Sequence, residues 1–207
     1  MKTKTIIEPR KSLSLKVVED TLIIRRPKHV SPEFVDSFIE KKEPWIKAQL
    51  RLNKKFLIDP HRDMTLFNRF VEINTIKSRS KKIEKLKDKW IVYAASDAAT
   101  IRLINDELKA LLMNKIEQII ERLKLIKNFE VESIQIKNLT ASWGNCRTNK
   151  QLGFAFRLVH MEESFIYSVV AHEVAHLFEM NHSPSFYRVL SQFDPNYHSS
   201  IKGLLDR

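Results

Sequence analysis

The chain has 207 residues, 43% hydrophobic and 29% charged, with three Gly, seven Pro and a single Cys, a composition that excludes collagenous, low-complexity, disordered and disulfide-scaffold classes. Lys and Arg number 36 against 25 acidic residues, a net charge of +11, and residues 1–100 hold 23 basic and 13 acidic side chains, so the positive field belongs to the N-terminal half. No run reaches the roughly 18 apolar residues of a membrane span, and Met1–Pro9 lacks the apolar centre of a signal peptide, so the reading is a soluble, cytoplasmic protein without a membrane partner.

In chain order, Leu13–Val18 and Leu22–Ile24 flank Glu19-Asp20-Thr21 as a hairpin would. Ser31-Pro32-Glu33 combines a capping hydroxyl with a first-turn proline, and Phe34, Phe38 and Ile39 follow at helical spacing. Pro44 is expected to end that helix and begin a second piece through Trp45, Ile46, Leu50 and Leu52, closed by Asp59-Pro60. Residues 64–95 read as mostly strand, with Leu66–Ile73 and Trp90–Ala94 around a basic connector. From Asp97 to Lys127, Ile104, Leu108, Leu111, Leu112, Ile116, Ile119, Ile120 and Leu123 step by three and four without Gly or Pro, the pattern of a long amphipathic helix. Val131–Lys137 reads as a strand, 138–150 as a loop, Gln151–Val159 as a strand and Ser164–Met180 as a helix, with Ser183-Pro184 opening another. The fold class is therefore α+β, with a helix beside a small, mostly antiparallel sheet. A change of texture near residue 96 separates a basic, β-rich region with a helical pair (1–95) from a catalytic core (96–207), the two expected to pack as one unit.

The chemistry concentrates in His172-Glu173-Val174-Ala175-His176, an HExxH motif inside the predicted helix. Residues four apart share one helix face, so both imidazoles reach one metal, and the intervening glutamate lies close enough to a metal-activated water to take its proton. A catalytic zinc uses three protein ligands and one open position, and His182 is the candidate third. On a continuous helix it would point about 120° away from His176 and about 9 Å further along the axis. The helix must therefore end first, with Asn181 suited to the left-handed conformation that stops helices and the chain turning at Met180–His182. The +10 spacing from His172 equals that of the metzincins, but Glu179 stands at their turn glycine, which indicates a different branch.

The run from Tyr167 to His176, followed by Asn181-His182-Ser183 and Phe186, resembles the YgjP-like metallopeptidases, relatives of the SprT and WLM zincins. Trp143-Gly144-Asn145-Cys146 is similar to that family's WGSC element and Arg157-Leu158 to its NWRL strand. Ser142 replaces a usual basic residue, Asn145 a serine, and Ala155-Phe156 an Asn-Trp pair. The resemblance implies a zincin-like core, Zn2+ on His172, His176 and His182, and a protein or peptide substrate cleaved with Glu173 as general base. The strand Gln151–Val159 is expected to be the edge to which an extended peptide adds.

Three further residues are candidate substrate or transition-state contacts: Arg157 for a developing oxyanion, Trp143 as a cleft wall, and Tyr197 as a hydrogen-bond donor. Cys146 reads as a small buried hydrophobe rather than a ligand. Residues 77–89 carry seven basic and two acidic side chains, a candidate surface for nucleic acid or nucleotide, although without interleaved aromatics a solvated ribbon face is favoured. Two alternatives accompany the peptidase: a metal-dependent nucleotide (UTP-type) pyrophosphatase using the same site, which the resemblance also implies, and a nucleic-acid-binding module with a structural zinc. Three imidazoles favour zinc over magnesium chemistry, and the sequence offers no obvious fourth ligand for a closed structural site.

Overall fold

Three short strands open the chain in the computed structural model, which describes residues 2–18, 21–56, 58–139 and 142–199. Strand β1 (Lys2–Ile7) runs parallel to β3 (Thr21–Arg26), and β2 (Ser14–Val18) pairs antiparallel on the other side of β3, with Val17 opposite Leu22. The hairpin is thus the expected one with an added parallel strand, although its turn at Glu19-Asp20 lies outside the described residues. Helix α1 (Pro32–Phe56) starts at the predicted cap, where the Phe34 N–H donates to Ser31 Oγ at 3.2 Å. It differs from expectation in running through Pro44 as one helix. Pro44 and Glu40 are both exposed, so the carbonyl that the proline leaves unpaired lies on the solvent side. The expected Ile39, Ile46 and Leu50 pack toward Val17, Leu22 and Ile24, joined by Val35 in place of Phe34, which is 55% exposed and stacks on Phe38.

These elements make up one compact unit, Met1–Leu57, and the second is Ile58–Arg207. The boundary therefore falls near residue 57 rather than 95. Residues 64–94 join the second unit because their sheet supplies the surface against which the long helix is buried. Strands β4 (Met64–Leu66), β5 (Arg69–Lys77), β6 (Lys82–Lys85) and β7 (Lys89–Ala94) form a sheet in the order β4-β5-β7-β6, in which only β5 and β7 are parallel. Side chains of β7 alternate, with Trp90, Val92 and Ala94 buried, and the strand packs on α2 (Asp97–Ile126). The α2 N–H of Ala99 donates to the Ser96 cap, and Ile104, Leu108, Leu112, Ile116, Ile119, Ile120 and Leu123 are buried as the periodicity predicts.

The basic segment 77–89 forms β6 and its flanks at the edge of this sheet. Lys82, Lys85 and Lys89 each lie on a carboxylate, from Glu84, Glu107 and Glu72. Lysines along an outer strand discourage pairing with another chain. Among the described residues no helix is long and apolar enough to cross a membrane.

A third sheet packs through its strand β9 against the helix that bears the HExxH residues. Strands β8 (Ser133–Lys137), β9 (Gly144–Cys146) and β10 (Gln151–Ala155) lie in the order β8-β10-β9, with β10 parallel to β8 and antiparallel to β9. The sheet has one pairing of each sense rather than being mostly antiparallel. Strand β9 lies inside the segment read as loop, and β10 gives way at Phe156 to a 3-10 turn (Phe156–His160). Because β10 is central, Leu152, Gly153, Phe154 and Ala155 are all buried, and β10 is not the free edge that the sequence suggested. Helix α3 (Glu163–Ala175) packs against α2, β9 and α4 (Pro184–Phe193). It is apolar nearly all round, as a helix enclosed by its neighbours should be.

Candidate metal centre

Helix α3 delivers His172 and Glu173 from its last turn and stops at Ala175, earlier than expected, so that His176 is its C-cap. Asn181 takes no left-handed conformation; among the described non-glycine residues only Phe67, Asn68 and Lys150 have positive φ. Tight backbone bonds close the end of the helix instead: Leu177 to the Val174 carbonyl at 3.0 Å and Phe178 to the Ala175 carbonyl at 3.1 Å. His176 contributes to that turn, since its Nδ1–H donates to the Glu179 carbonyl at 3.1 Å. The chain then doubles back, and Ser183 caps α4 by accepting from the Phe186 N–H at 3.3 Å.

The result brings the three histidines together. Nε2 of His172 lies 3.2 Å from Nε2 of His176 and 3.1 Å from Nε2 of His182. Tetrahedral zinc with bonds of about 2.0–2.1 Å separates its nitrogen ligands by about 3.3 Å, so the donor set fits that ion. Burial, and then the neighbouring His176 and His182, push the His172 imidazole down to about 4, and burial also lowers His176. Both rings are therefore neutral at pH 7, the form that ligates a metal. With the Nδ1–H of His176 engaged by the Glu179 carbonyl, its Nε2 turns a lone pair toward the other two rings, the form in which an imidazole serves a cation. Among the described residues no fourth His, Cys, Asp or Glu joins the group, which leaves a coordination position open.

Glu173 is 6% exposed, and burial pushes its carboxyl up to about 7. Its place is made by Gly144 on β9. A Cβ on that residue would stand 2.7 Å from both Glu173 Cγ and Oε1 and 2.9 Å from Cδ, so any side chain there displaces the carboxylate. Cys146, two residues on, has its thiol pushed up to about 11 by burial and then by the Glu173 charge. It stays a neutral thiol and stands outside the donor set.

The remaining candidates separate. Tyr197 reaches the centre, with its hydroxyl 2.7 Å from His172 Nδ1 and its ring stacked on the imidazole at 5.5 Å. That position is on the Nδ1 side of the His172 ring, away from the Nε2 that meets His176 and His182. Arg157 instead lies over the Trp143 ring at 4.0 Å and donates to the Ser142 carbonyl at 3.2 Å, while Trp143 meets Phe165 edge-on at 5.1 Å. None of these contacts reaches the histidines.

Sequence reasoning gave Phe186 no role of its own. It is fully buried, and its ring lies 5.0, 4.6 and 4.7 Å from the His172, His176 and His182 rings, a floor that fixes their spacing. The Ser183-Pro184 start signal could have located it, since the third residue after such a cap turns back toward the preceding chain. Ser168 was also passed over. A serine four residues before His172 in an otherwise apolar helix signals a buried partner, and Asp194 is that partner.

A family model described as YgjP-like, metallopeptidase domain, matches residues 11–206. No curated protein matches the chain. Among solved structures, the metallopeptidase zymogen abylysin of Pyrococcus abyssi is similar at 22% identity and a TM-score of 0.40, over 44% of this chain and 90% of that one.

Proposed function

The chain belongs to the YgjP-like metallopeptidase family, and from that premise we propose that it is a zinc peptidase in which His172, His176 and His182 hold the ion and Glu173 is the general base. The observation that carries the reading is the convergence of three Nε2 atoms, His172 lying 3.2 and 3.1 Å from its two partners, next in sequence to a buried carboxylate. An all-imidazole donor set suits zinc better than magnesium or calcium, which prefer oxygen ligands. When bound there, zinc supplies Lewis acidity and brings the pKa of water toward neutrality. Glu173 accepts the proton of the attacking water and passes it to the leaving amine nitrogen, a task suited to a carboxyl whose pKa burial has raised toward neutrality. Phe186 excludes water beneath the ligands, and the Glu179 carbonyl holds the His176 ring in the tautomer that leaves Nε2 unprotonated.

For an extended peptide, the strand that supports docking is β9 rather than β10. The Ala155 N–H donates to the Trp143 carbonyl and the Arg147 N–H to the Gln151 carbonyl. The bonded positions of this ladder thus alternate, and the N–H and C=O of Gly144 and Cys146 point away from β10, toward the open edge. A peptide added there would lie next to Glu173.

Gly144→Ala is expected to retain zinc and to lose on the order of 100-fold in kcat, the scale of a 1 Å misplacement of a catalytic group, because the methyl group occupies the space of Glu173. Steady-state proteolysis with metal analysis on the same sample checks this; wild-type kcat would show that the methyl group leaves the Glu173 carboxylate in place.

The function itself is tested by removing the metal. Casein and nucleoside triphosphates are offered to protein purified without chelator, to protein treated with a chelator, and to treated protein given back one equivalent of zinc. Casein cleavage that disappears and returns supports the peptidase. Hydrolysis of triphosphates alone would transfer the site to pyrophosphatase chemistry, and metal-independent cleavage would refute it.

A further inference from the structure

We propose that Ser168 and Asp194 form a clamp that positions Tyr197 on His172 and thereby sets the affinity of the centre for zinc; the inference rests on the zinc reading above. Ser168 and His172 are four residues apart on α3 and share one face. The segment after α4 crosses that face and is tied to it twice. Ser168 Oγ–H donates to Asp194 Oδ2, and one turn later the Tyr197 hydroxyl meets His172 Nδ1 at 2.7 Å. Between the two ties the backbone is closed into a turn: the other Asp194 carboxylate oxygen accepts from the Asn196 N–H at 3.1 Å, and the Asp194 carbonyl accepts from the Tyr197 N–H at 3.2 Å. A third bond, from the Tyr167 hydroxyl to the Phe193 carbonyl at 2.8 Å, holds the start of the segment.

Ser168 is 1% and Asp194 6% exposed. A carboxylate buried against an apolar helix is costly unless its lone pairs are satisfied, so the turn geometry and the Ser168 bond enforce one another. Tyr197 inherits that rigidity. Its hydroxyl oxygen accepts the Nδ1–H of His172, which retains the tautomer whose Nε2 lone pair faces the metal. Ser168 and Asp194 touch neither metal nor substrate; they are positioning residues acting through Tyr197.

The test measures zinc affinity by competition with a chromophoric chelator, beside the melting temperature of the metal-free protein, for wild type, Tyr197→Phe, Ser168→Ala, Asp194→Ala and Asp194→Asn. Tyr197→Phe is expected to weaken zinc about 10–100-fold, the usual cost of losing a partner that orients a ligand. Ser168→Ala should weaken it in the same direction, and the Ser168→Ala/Tyr197→Phe double variant no further than Tyr197→Phe alone, since the two act in series. Asp194→Asn, which keeps the shape and can bond Ser168 and the Asn196 N–H, should recover most of what Asp194→Ala loses. The melting temperature of each metal-free variant separates loss of the clamp from loss of the fold. Full zinc affinity in Ser168→Ala, or losses that multiply in the double variant, would overturn the clamp while leaving the zinc reading intact. Wild-type protein without measurable zinc affinity would overturn both.

Discussion

Glu173→Gln is expected to bind zinc as wild type does and to lose about 10²–10⁴-fold in kcat, the range that a positioned general base supplies. Glutamine has the same shape, so it fits the space that Gly144 leaves, where Cγ, Cδ and Oε1 of Glu173 lie 2.7–2.9 Å from the place a Cβ on Gly144 would take. Its amide cannot accept the proton of water, so the variant isolates the proton transfer from packing. A second measurement separates the two further. In metal-free protein, burial raises the carboxyl from an ordinary 4.5 to about 7. A carboxyl whose folded pKa is raised favours the folded state below its unfolded pKa and loses that contribution as pH rises through the folded value. Metal-free wild type should therefore lose stability relative to Glu173→Gln between about pH 4.5 and 7. Denaturant titrations across that window check the sign, and assays of casein cleavage check the rate. A variant with wild-type kcat would exclude Glu173 as the base, whatever the stability data showed.

The second large effect belongs to His182→Ala. Losing a direct ligand should weaken zinc by more than the roughly 10–100-fold that loss of an orienting partner costs. Purified protein should then fall from about one zinc per chain to well below it after dialysis. The choice of histidine matters. His172 is packed between Tyr197 and Phe186 and belongs to α3, so removing it disturbs more than coordination. His182 is exposed and lies in the connection between α3 and α4, so its loss should leave the melting temperature of metal-free protein nearly unchanged. Elemental analysis and calorimetry on the same preparation decide the matter; undiminished zinc in His182→Ala would remove it from the donor set.

Much of this centre is legible in local sequence. The HExxH spacing needs only the helical repeat to put two imidazoles on one face, and Ser183-Pro184 needs only capping chemistry to start the helix that follows the third. The long run from Asp97 to Ile126 likewise declares its buried stripe through the period of its apolar residues. These are interactions between neighbours in sequence, whose geometry a single helical turn dictates. The reading failed where a competing interaction came from elsewhere in the chain. Pro44 removes one helix bond and crowds the Glu40 carbonyl, but that side faces solvent, where water can take the carbonyl, and the helix continues. The segment 138–150 looked like loop because β9 is three residues long, too short to show alternation and defined only by pairing with β10.

By itself, then, the sequence determined the α+β class, the long helix and which three imidazoles could meet, because periodicity, capping and donor chemistry act within a few residues. Only the tertiary structure decided that Gly144 makes room for Glu173, that Phe186 lies under three histidines, that Arg157 turns to Trp143, and that Asp194 meets Ser168 twenty-six positions away. Those outcomes depend on which surfaces are buried against each other, and no local pattern encodes the space left between elements that pack from distant parts of the chain.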